Sequence, residues 1–121
     1  ALPAISLAMD TSTITACGND LSFDDIFSRS LEALASPGDV LLGISTSGNS
    51  ENVKRAILRA KEIDVMTCML SGCEGGQIKS LSDIEYIVPS YETGRIQEVH
   101  IMMGHALMES IEDKLLKNGF L

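Results

Sequence analysis

The chain has 121 residues, enough for one domain with a substantial core and too few for two ordinary domains. Nine Lys and Arg residues against seventeen Asp and Glu residues give a net charge of −8, which argues against nucleic acid as a partner. Hydrophobic residues make up 45% of the chain, yet no apolar run approaches the roughly 20 residues that span a bilayer. We therefore expect a soluble globular domain without membrane contact.

The three cysteines, Cys17, Cys68 and Cys73, indicate the cellular compartment. An odd number of cysteines without a recognisable signal peptide favours a reducing environment, so we expect a cytoplasmic protein. No second cysteine pair and no histidine at zinc-finger spacing accompanies Cys68 and Cys73, which gives a structural zinc site no support.

The first third of the chain alternates short apolar segments with helical patterns. Residues 3–8 read as a first strand, and residues 11–16 read as a short helix followed by a turn at residues 18–20. A stronger helix begins at Phe23, with acidic residues in its first turn, and ends before residues 37–38, which are Pro and Gly.

The remaining two thirds repeat a strand and helix alternation. Residues 40–44 are apolar without polar alternation, a pattern typical of a strand buried on both faces. A helix is predicted over residues 51–62, further strands over 65–70 and 84–88, and a long helix over 95–117. No hairpin dipeptide joins consecutive strands, so the fold class is α/β, with four parallel strands in a doubly wound sheet.

One loop between a buried strand and a helix is rich in hydroxyl groups. Its sequence over residues 45–50 is Ser-Thr-Ser-Gly-Asn-Ser. The amino end of a helix offers free N–H groups, glycine permits close approach, and hydroxyls donate further hydrogen bonds, so the loop resembles a phosphate cradle. No Walker-type lysine follows, which disfavours a nucleoside triphosphate. An ordinary serine-rich loop that caps a helix is the alternative.

The start of the long helix carries a second polar cluster, which includes Gln97, His100 and His105. On a helix Gln97 and His105 lie about 80° and roughly 12 Å apart, so they meet at one ligand only if their side chains converge. A histidine hydrogen-bonded inside the core is the alternative for an isolated His on an apolar helix. Residues 18–20 and 71–76 either line the same sheet edge as the serine-rich loop or form plain turns.

Together these two motifs resemble a known family. The stretch 38–50 and the Arg-Ile-Gln-Glu-Val-His stretch at 95–100 are similar to the bacterial phosphoheptose isomerases of the sugar isomerase (SIS) family, whose fold is flavodoxin-like. The similarity runs through nearly the whole chain, including residues 10–12, 18–20 and 88–90. The serine-rich loop alone would indicate only an SIS domain.

The resemblance implies a site for a phosphorylated seven-carbon sugar. The substrate-binding residues that it implies are Asp20, Ser45, Thr46, Ser47, Ser50 and Gln97. It further implies that His105 is the catalytic proton-transfer residue and that Gln97 and His105 are metal ligands, with zinc as the suspected cofactor. A homotetramer is implied as well, because family sites are built at subunit contacts.

The implied reaction is a ketose to aldose isomerisation. Sedoheptulose 7-phosphate would become D-glycero-D-manno-heptose 7-phosphate through an enediol, the first step of ADP-heptose and lipopolysaccharide core synthesis. Such chemistry needs a base beside the carbonyl and an acid for its oxygen, and His105 suits one of these roles near neutral pH.

The sequence departs from the family in one respect. The family's opposing carboxylate and partner histidine belong to an N-terminal helical segment with a Gly-Asn-Gly-Gly-Ser stretch, which has no match here. We therefore expect residues 1–121 to be a single SIS domain, the carboxy-terminal portion of the protein, and inactive alone. The alternative function is a non-catalytic phosphosugar-binding or replication-initiator-associating adaptor; His105 favours the enzyme. A phosphosugar-sensing regulator would need a DNA-binding domain, which the acidic chain does not show.

Overall fold

The computed structural model describes residues 2–120. Within them, four helices and three strands follow one another in the order α1-α2-β1-α3-β2-β3-α4. Their bounds are α1 Thr11–Asp20, α2 Ile26–Leu34, β1 Val40–Ser45, α3 Glu51–Glu62, β2 Met66–Gly72, β3 Ile84–Val88 and α4 Thr93–Lys117. Short 3-10 turns precede α2 and follow β2. No helix in this part of the chain is both long enough and apolar enough to cross a membrane.

The three strands form a parallel sheet in the order β1-β2-β3. Met69 on β2 faces the same side as Gly43 on β1, and a Cβ at Gly43 would touch the side chains of Met69, Val53 and Ile57. That side is therefore covered by α3. The α/β fold with a parallel sheet is confirmed.

Helix α4 packs on the opposite side of the sheet. Successive side chains of a strand point to opposite faces, so the position of Gly72 faces away from α3. A Cβ there would overlap the side chain of Ile96, which is 1% exposed. Helices thus cover both faces at the carboxyl end of β2, as a doubly wound sheet requires.

The main core lies between α3 and the sheet. Its buried members come from α3, β2 and the 3-10 turn after β2, and they are Val53, Ile57, Met69 and Ile78. The opposite side of α3 is polar: Arg55 pairs with Asp25 at 2.7 Å and Arg59 pairs with Glu32 at 2.8 Å. These ion pairs join α3 to the α2 region at the surface.

The predicted first strand over residues 3–8 is wrong. The segment has no strand structure, and it forms a turn in which the Met9 N–H donates to the Ser6 carbonyl at 3.2 Å. Its Leu7 packs against a buried cluster that includes Leu31 and Val65. Apolar residues are therefore used for packing here without the hydrogen-bond ladder that defines a strand, and the sheet of the described residues has three strands.

Two further predictions need correction. Helix α1 continues through Asp20, so residues 18–20 are its last turn rather than a following turn. Gly18 costs the helix about 1 kcal/mol relative to alanine, which is too little to end it. Strand β1 is not buried on both faces, since Val40 is 61% and Ile44 54% exposed. Within residues 2–120, α4 packs on that face of the sheet at the carboxyl end of β2, beside β1.

Truncation of Ile57 to alanine tests the core. The side chain is fully buried between α3 and the sheet, so Ile57→Ala should lower the free energy of unfolding by about 2–5 kcal/mol. Leu58→Ala on the same helix is the matched control, because Leu58 is 42% exposed. Urea unfolding measures both variants, and equal losses would contradict this packing.

The turn before β3 provides a pH-dependent test. The Thr67 hydroxyl and N–H donate to Asp83 at 2.6 and 2.8 Å, and these bonds lower the pKa of Asp83 below its ordinary 3.8. The stabilisation is present above about pH 4 and is lost as the pH falls through the lowered pKa. Thr67→Val should therefore cost more stability in urea at pH 7 than at pH 3. An equal cost at both pH values would contradict the assignment.

Candidate functional site

The serine loop, defined as residues 45–50, connects the carboxyl end of β1 to the amino end of α3. It turns back at once, because the Gly48 N–H donates to the Ser45 carbonyl at 3.1 Å. This turn brings the Ser45 and Ser50 hydroxyl oxygens within 2.8 Å of each other. Only one of the two protons lies between them, so the pair retains one proton for a ligand oxygen.

The amino end of α3 adds backbone donors beside these hydroxyls. Ser50 is its N-cap residue, and its side chain caps no helix amide. The Val53 N–H donates to Asn52 Oδ1 at 2.8 Å, which leaves the Glu51 and Asn52 amides without an intrahelical partner. The acidic Glu51 next to them is compensated by hydrogen bonds from Lys54 and then Arg55, which lower its pKa and balance its charge. A partial positive charge at the helix end therefore faces the loop.

A second loop supports the serine loop from the side. This glycine loop, residues 73–78, follows β2 and contains Gly75 and Gly76. Gly48 has φ 67°, and a Cβ there would overlap the Gly75 carbonyl oxygen. The Ile78 N–H donates to the Gly48 carbonyl at 3.0 Å. The prediction that the segment after β2 shares an edge with the serine loop is confirmed.

The start of α4 reaches the same edge through β2. A Cβ at Gly72 would meet both Ile96 and, at 2.5 Å, the Thr46 carbonyl oxygen. Gly72 therefore lets α4, β2 and the serine loop come together. One turn along α4, His100 is 6% exposed, and its Nε2 lies 2.9 Å from the Ser71 carbonyl. His100 is thus the hydrogen-bonded core histidine that the sequence left open.

The other predicted site residues are Gln97, His105 and Asp20, and they lie outside the serine loop. Gln97 follows Ile96 and is exposed, and His105 lies on the exposed half of α4, about 13 Å of helix beyond Ile96. Asp20 ends α1, where its carboxylate accepts a hydrogen bond from Asn19 at 2.7 Å. The structure gathers Ser45, Thr46, Ser47 and Ser50 in one loop. Among the described residues, no hydrogen bond joins the side chains of that loop to Asp20 or His105.

The metal prediction finds only part of a donor set. Residues 2–120 contain no group of three or more His, Cys, Asp or Glu side chains placed to hold a metal ion. Gln97 and His105 would supply two ligands, whereas zinc sites in proteins use three or four protein ligands. The described side chains do not form a zinc site by themselves. Zinc stays a prediction, and metal analysis by mass spectrometry tests it.

Two cavities accompany the described part of the chain. The larger, about 790 Å³, is lined mainly by apolar residues of the first segment, α2 and β1, and does not include the serine loop hydroxyls. The smaller, about 320 Å³, is lined by residues of the serine loop, the glycine loop and the start of the α4 region: Ser47, Asn49, Cys73, Glu74, Gly76 and Tyr91. Polar donors converge beside the smaller one, which makes it the candidate ligand site.

Sequence reasoning missed two contributors to this edge. In the sequence, Asn49 is only one more polar residue of the loop. The other contributor is Tyr91, whose hydroxyl donates to Glu74 at 2.8 Å. Asparagine directly after a glycine in a strand-to-helix loop was the available signal for Asn49. No local pattern pointed to Tyr91, because Glu74 is 17 residues away in the sequence.

Comparison with known proteins gives consistent matches. Residues 1–72 match the family model of the SIS domain. The phosphoheptose isomerase of Aquifex aeolicus is 52% identical over 118 residues, covering 98% of this chain and 62% of that protein. That of Nitratiruptor is 54% identical over 112 residues, covering 93% and 60%. The resemblance drawn from the two motifs is confirmed, and the chain spans about 60% of the length of these relatives.

Solved structures agree with the sequence matches. The phosphoheptose isomerase of Neisseria gonorrhoeae superimposes with a TM-score of 0.89 at 47% identity, covering 91% of this chain and 62% of that one. The enzyme of Francisella tularensis gives a TM-score of 0.87 at 40% identity, covering 89% and 58%.

Substitution of Gly48 tests the contact between the two loops. Gly48→Ala places a side chain at positive φ against the Gly75 carbonyl, so stability should fall by more than about 1 kcal/mol. Gly18→Ala is the control, because Gly18 lies in α1 with open space around it and should gain up to about 1 kcal/mol. Thermal unfolding compares them, and a neutral Gly48→Ala would contradict the contact.

Proposed function

Because the chain belongs to the SIS domain family, we propose that its serine loop binds the phosphate of a phosphorylated sugar and that the protein is a phosphoheptose isomerase. The observation that carries the proposal is the Ser45 and Ser50 hydroxyl pair, 2.8 Å apart at the amino end of α3. Relatives with about half of their residues identical are named phosphoheptose isomerase, which supports the reaction class.

The loop suits a phosphate monoester better than a nucleoside triphosphate. Three phosphate oxygens can accept hydrogen bonds from the loop hydroxyls and from the first amides of α3, and the helix dipole favours the negative charge. Lys54, three residues into the helix, is bound to Glu51 and to Gln77 at 3.3 and 3.2 Å. Recognition here therefore rests on hydroxyl and amide donors, without a lysine directed at the phosphate.

The proposed substrate is sedoheptulose 7-phosphate, and the product is D-glycero-D-manno-heptose 7-phosphate. A base removes a proton from C1 of the ketose while an acid protonates the carbonyl oxygen, which gives the enediol. Return of a proton to C2 and loss of the proton from the C1 hydroxyl then give the aldose, so no atom is gained or lost. This reaction would open ADP-heptose and lipopolysaccharide core synthesis.

His105 is the proposed proton-transfer residue, with Gln97 and Asp20 as proposed contacts of the sugar. An imidazole changes its charge near neutral pH, which suits it to carry a proton between carbon and oxygen. Its position on exposed α4 leaves its ring accessible to a substrate held by a facing surface. The proposed role therefore requires the remaining groups of the site to approach α4 from its exposed side.

The proposal includes the assembly and the compartment: the protein is a cytoplasmic homotetramer. From residue 101 onward α4 exposes several large apolar side chains, and an exposed apolar surface of this kind favours association. These side chains are Ile101, Met102, Leu107, Met108, Ile111 and Leu116. Light scattering of the full-length gene product tests the tetramer.

Binding of the phosphosugar is the first test. At a concentration 100 times the dissociation constant, sedoheptulose 7-phosphate should stabilise the protein by about 2.7 kcal/mol in a thermal-shift assay, whereas unphosphorylated sedoheptulose should not. Ser50→Ala should reduce the shift, and Ser110→Ala on exposed α4 is the matched control. Equal shifts for the two sugars would contradict phosphate recognition.

Turnover separates an enzyme from a non-catalytic adaptor. In the full-length gene product, His105→Ala should lower kcat about 10²–10⁴-fold while phosphosugar binding remains. Glu112→Ala, an exposed substitution on the same helix, is the control. A folded parent that binds the sugar phosphate without isomerising it would instead support the adaptor.

A further inference from the structure

Asn49 is the one side chain of the serine loop that bonds both to its own loop and to the glycine loop, among the residues described. Its Oδ1 accepts a hydrogen bond from the Gln77 N–H at 2.9 Å, and its Nδ2 donates to the Ser47 carbonyl at 3.2 Å. Both ends of the amide are therefore engaged within the protein. Asn49 acts as a bridge rather than as a free ligand for a sugar.

The surrounding backbone leaves little room for the two loops to move independently. A Cβ at Gly76 would lie 2.5 Å from the Gly48 carbonyl oxygen and 2.6 Å from Asn49 Oδ1. The Ile78 N–H donates to the same Gly48 carbonyl. The backbone contact between the two loops is possible because Gly48 and Gly76 have no side chains, and the Asn49 side chain adds a hydrogen bond to it.

This bridge also fixes Ser47. The Asn49 N–H donates to Ser47 Oγ at 3.1 Å, while Asn49 Nδ2 holds the Ser47 carbonyl. Because Oγ already accepts one hydrogen bond, its own proton is left to donate to a ligand oxygen. Ser47 and Asn49 both line the 320 Å³ cavity. The Oγ bond comes from the Asn49 backbone, so the Asn49 side chain positions Ser47 through its bond to the Ser47 carbonyl.

Resting on the proposed phosphate site, we infer that Asn49 is a positioning residue, which holds the serine loop against the glycine loop and aims the Ser47 hydroxyl at the phosphate. The two loops then form one binding unit. Preorganised donors bind more tightly than donors that must be ordered by the ligand, so loss of the bridge weakens binding without removing a ligand contact.

Calorimetric titration with inorganic phosphate and with sedoheptulose 7-phosphate tests the inference. Asn49→Ala should weaken both affinities about tenfold, because without the two side-chain hydrogen bonds of Asn49 the ligand itself must order the loop. Asn118→Ala is the matched control, because Asn118 lies past the far end of α4. An Asn49→Ala protein that keeps its fold by circular dichroism and binds both ligands like the parent overturns the inference.

Hydrogen exchange of the unsubstituted protein provides a second readout, which does not depend on the folding of a variant. Saturating phosphate should slow exchange of the Gln77 and Ile78 amides, although both already donate to the serine loop. Unchanged exchange at both amides would contradict coupling of the two loops. A parent that binds neither phosphate nor the sugar phosphate would instead refute the proposed function itself.

Discussion

The contact between Gly48 and the glycine loop is the constraint on which the candidate site depends. It requires positive φ at Gly48 and at Gly76 and the absence of side chains at both positions. The parallel register of β1 and β2 places the two loops side by side, since Ser45 pairs with Ser71 at the ends of the strands. With larger residues at these positions, the serine loop would be displaced from the edge where α4 arrives.

The same edge explains why the core and the site are not independent. Ile78, at the end of the glycine loop, is fully buried with Ile57 and Met69, and its N–H holds the Gly48 carbonyl. Packing of the core therefore anchors the loop that supports the phosphate site. On the opposite face of the sheet, Ile96 packs against Gly72 and His100 bonds to the Ser71 carbonyl. These contacts fix the position of the first turns of α4, the helix that also carries Gln97 and His105.

The sequence predicts the helices and strands best where the apolar spacing continues over several turns or where a turn motif ends the element. The apolar spacing of Val53, Ile57 and Ala60 gave α3 with its observed bounds, and the apolar run before Pro89 gave β3. The strand predicted over residues 3–8 does not form, because an apolar segment can pack against the core without the hydrogen bonds of a sheet. The prediction that β1 is buried on both faces is wrong. Its side chains are apolar on both faces, but the described residues cover only one of these faces along most of the strand.

The site was predictable in its donors and less so in its supports. Hydroxyls next to a helix start are a local pattern, so Ser45, Ser47 and Ser50 could be found by inspection. The bridge from Asn49 to Gln77 joins residues 28 apart, and the fixation of His100 by Ser71 joins residues 29 apart. Such pairs follow from strand register, which the sequence alone does not provide.

A crystal structure of the protein with sedoheptulose 7-phosphate would test the proposed phosphate site. The phosphate should lie at the serine loop, within hydrogen-bond distance of the Ser45, Ser47 or Ser50 hydroxyls and of the first amides of α3. A phosphate located at another surface, with the serine loop making no contact to the sugar phosphate, would contradict it.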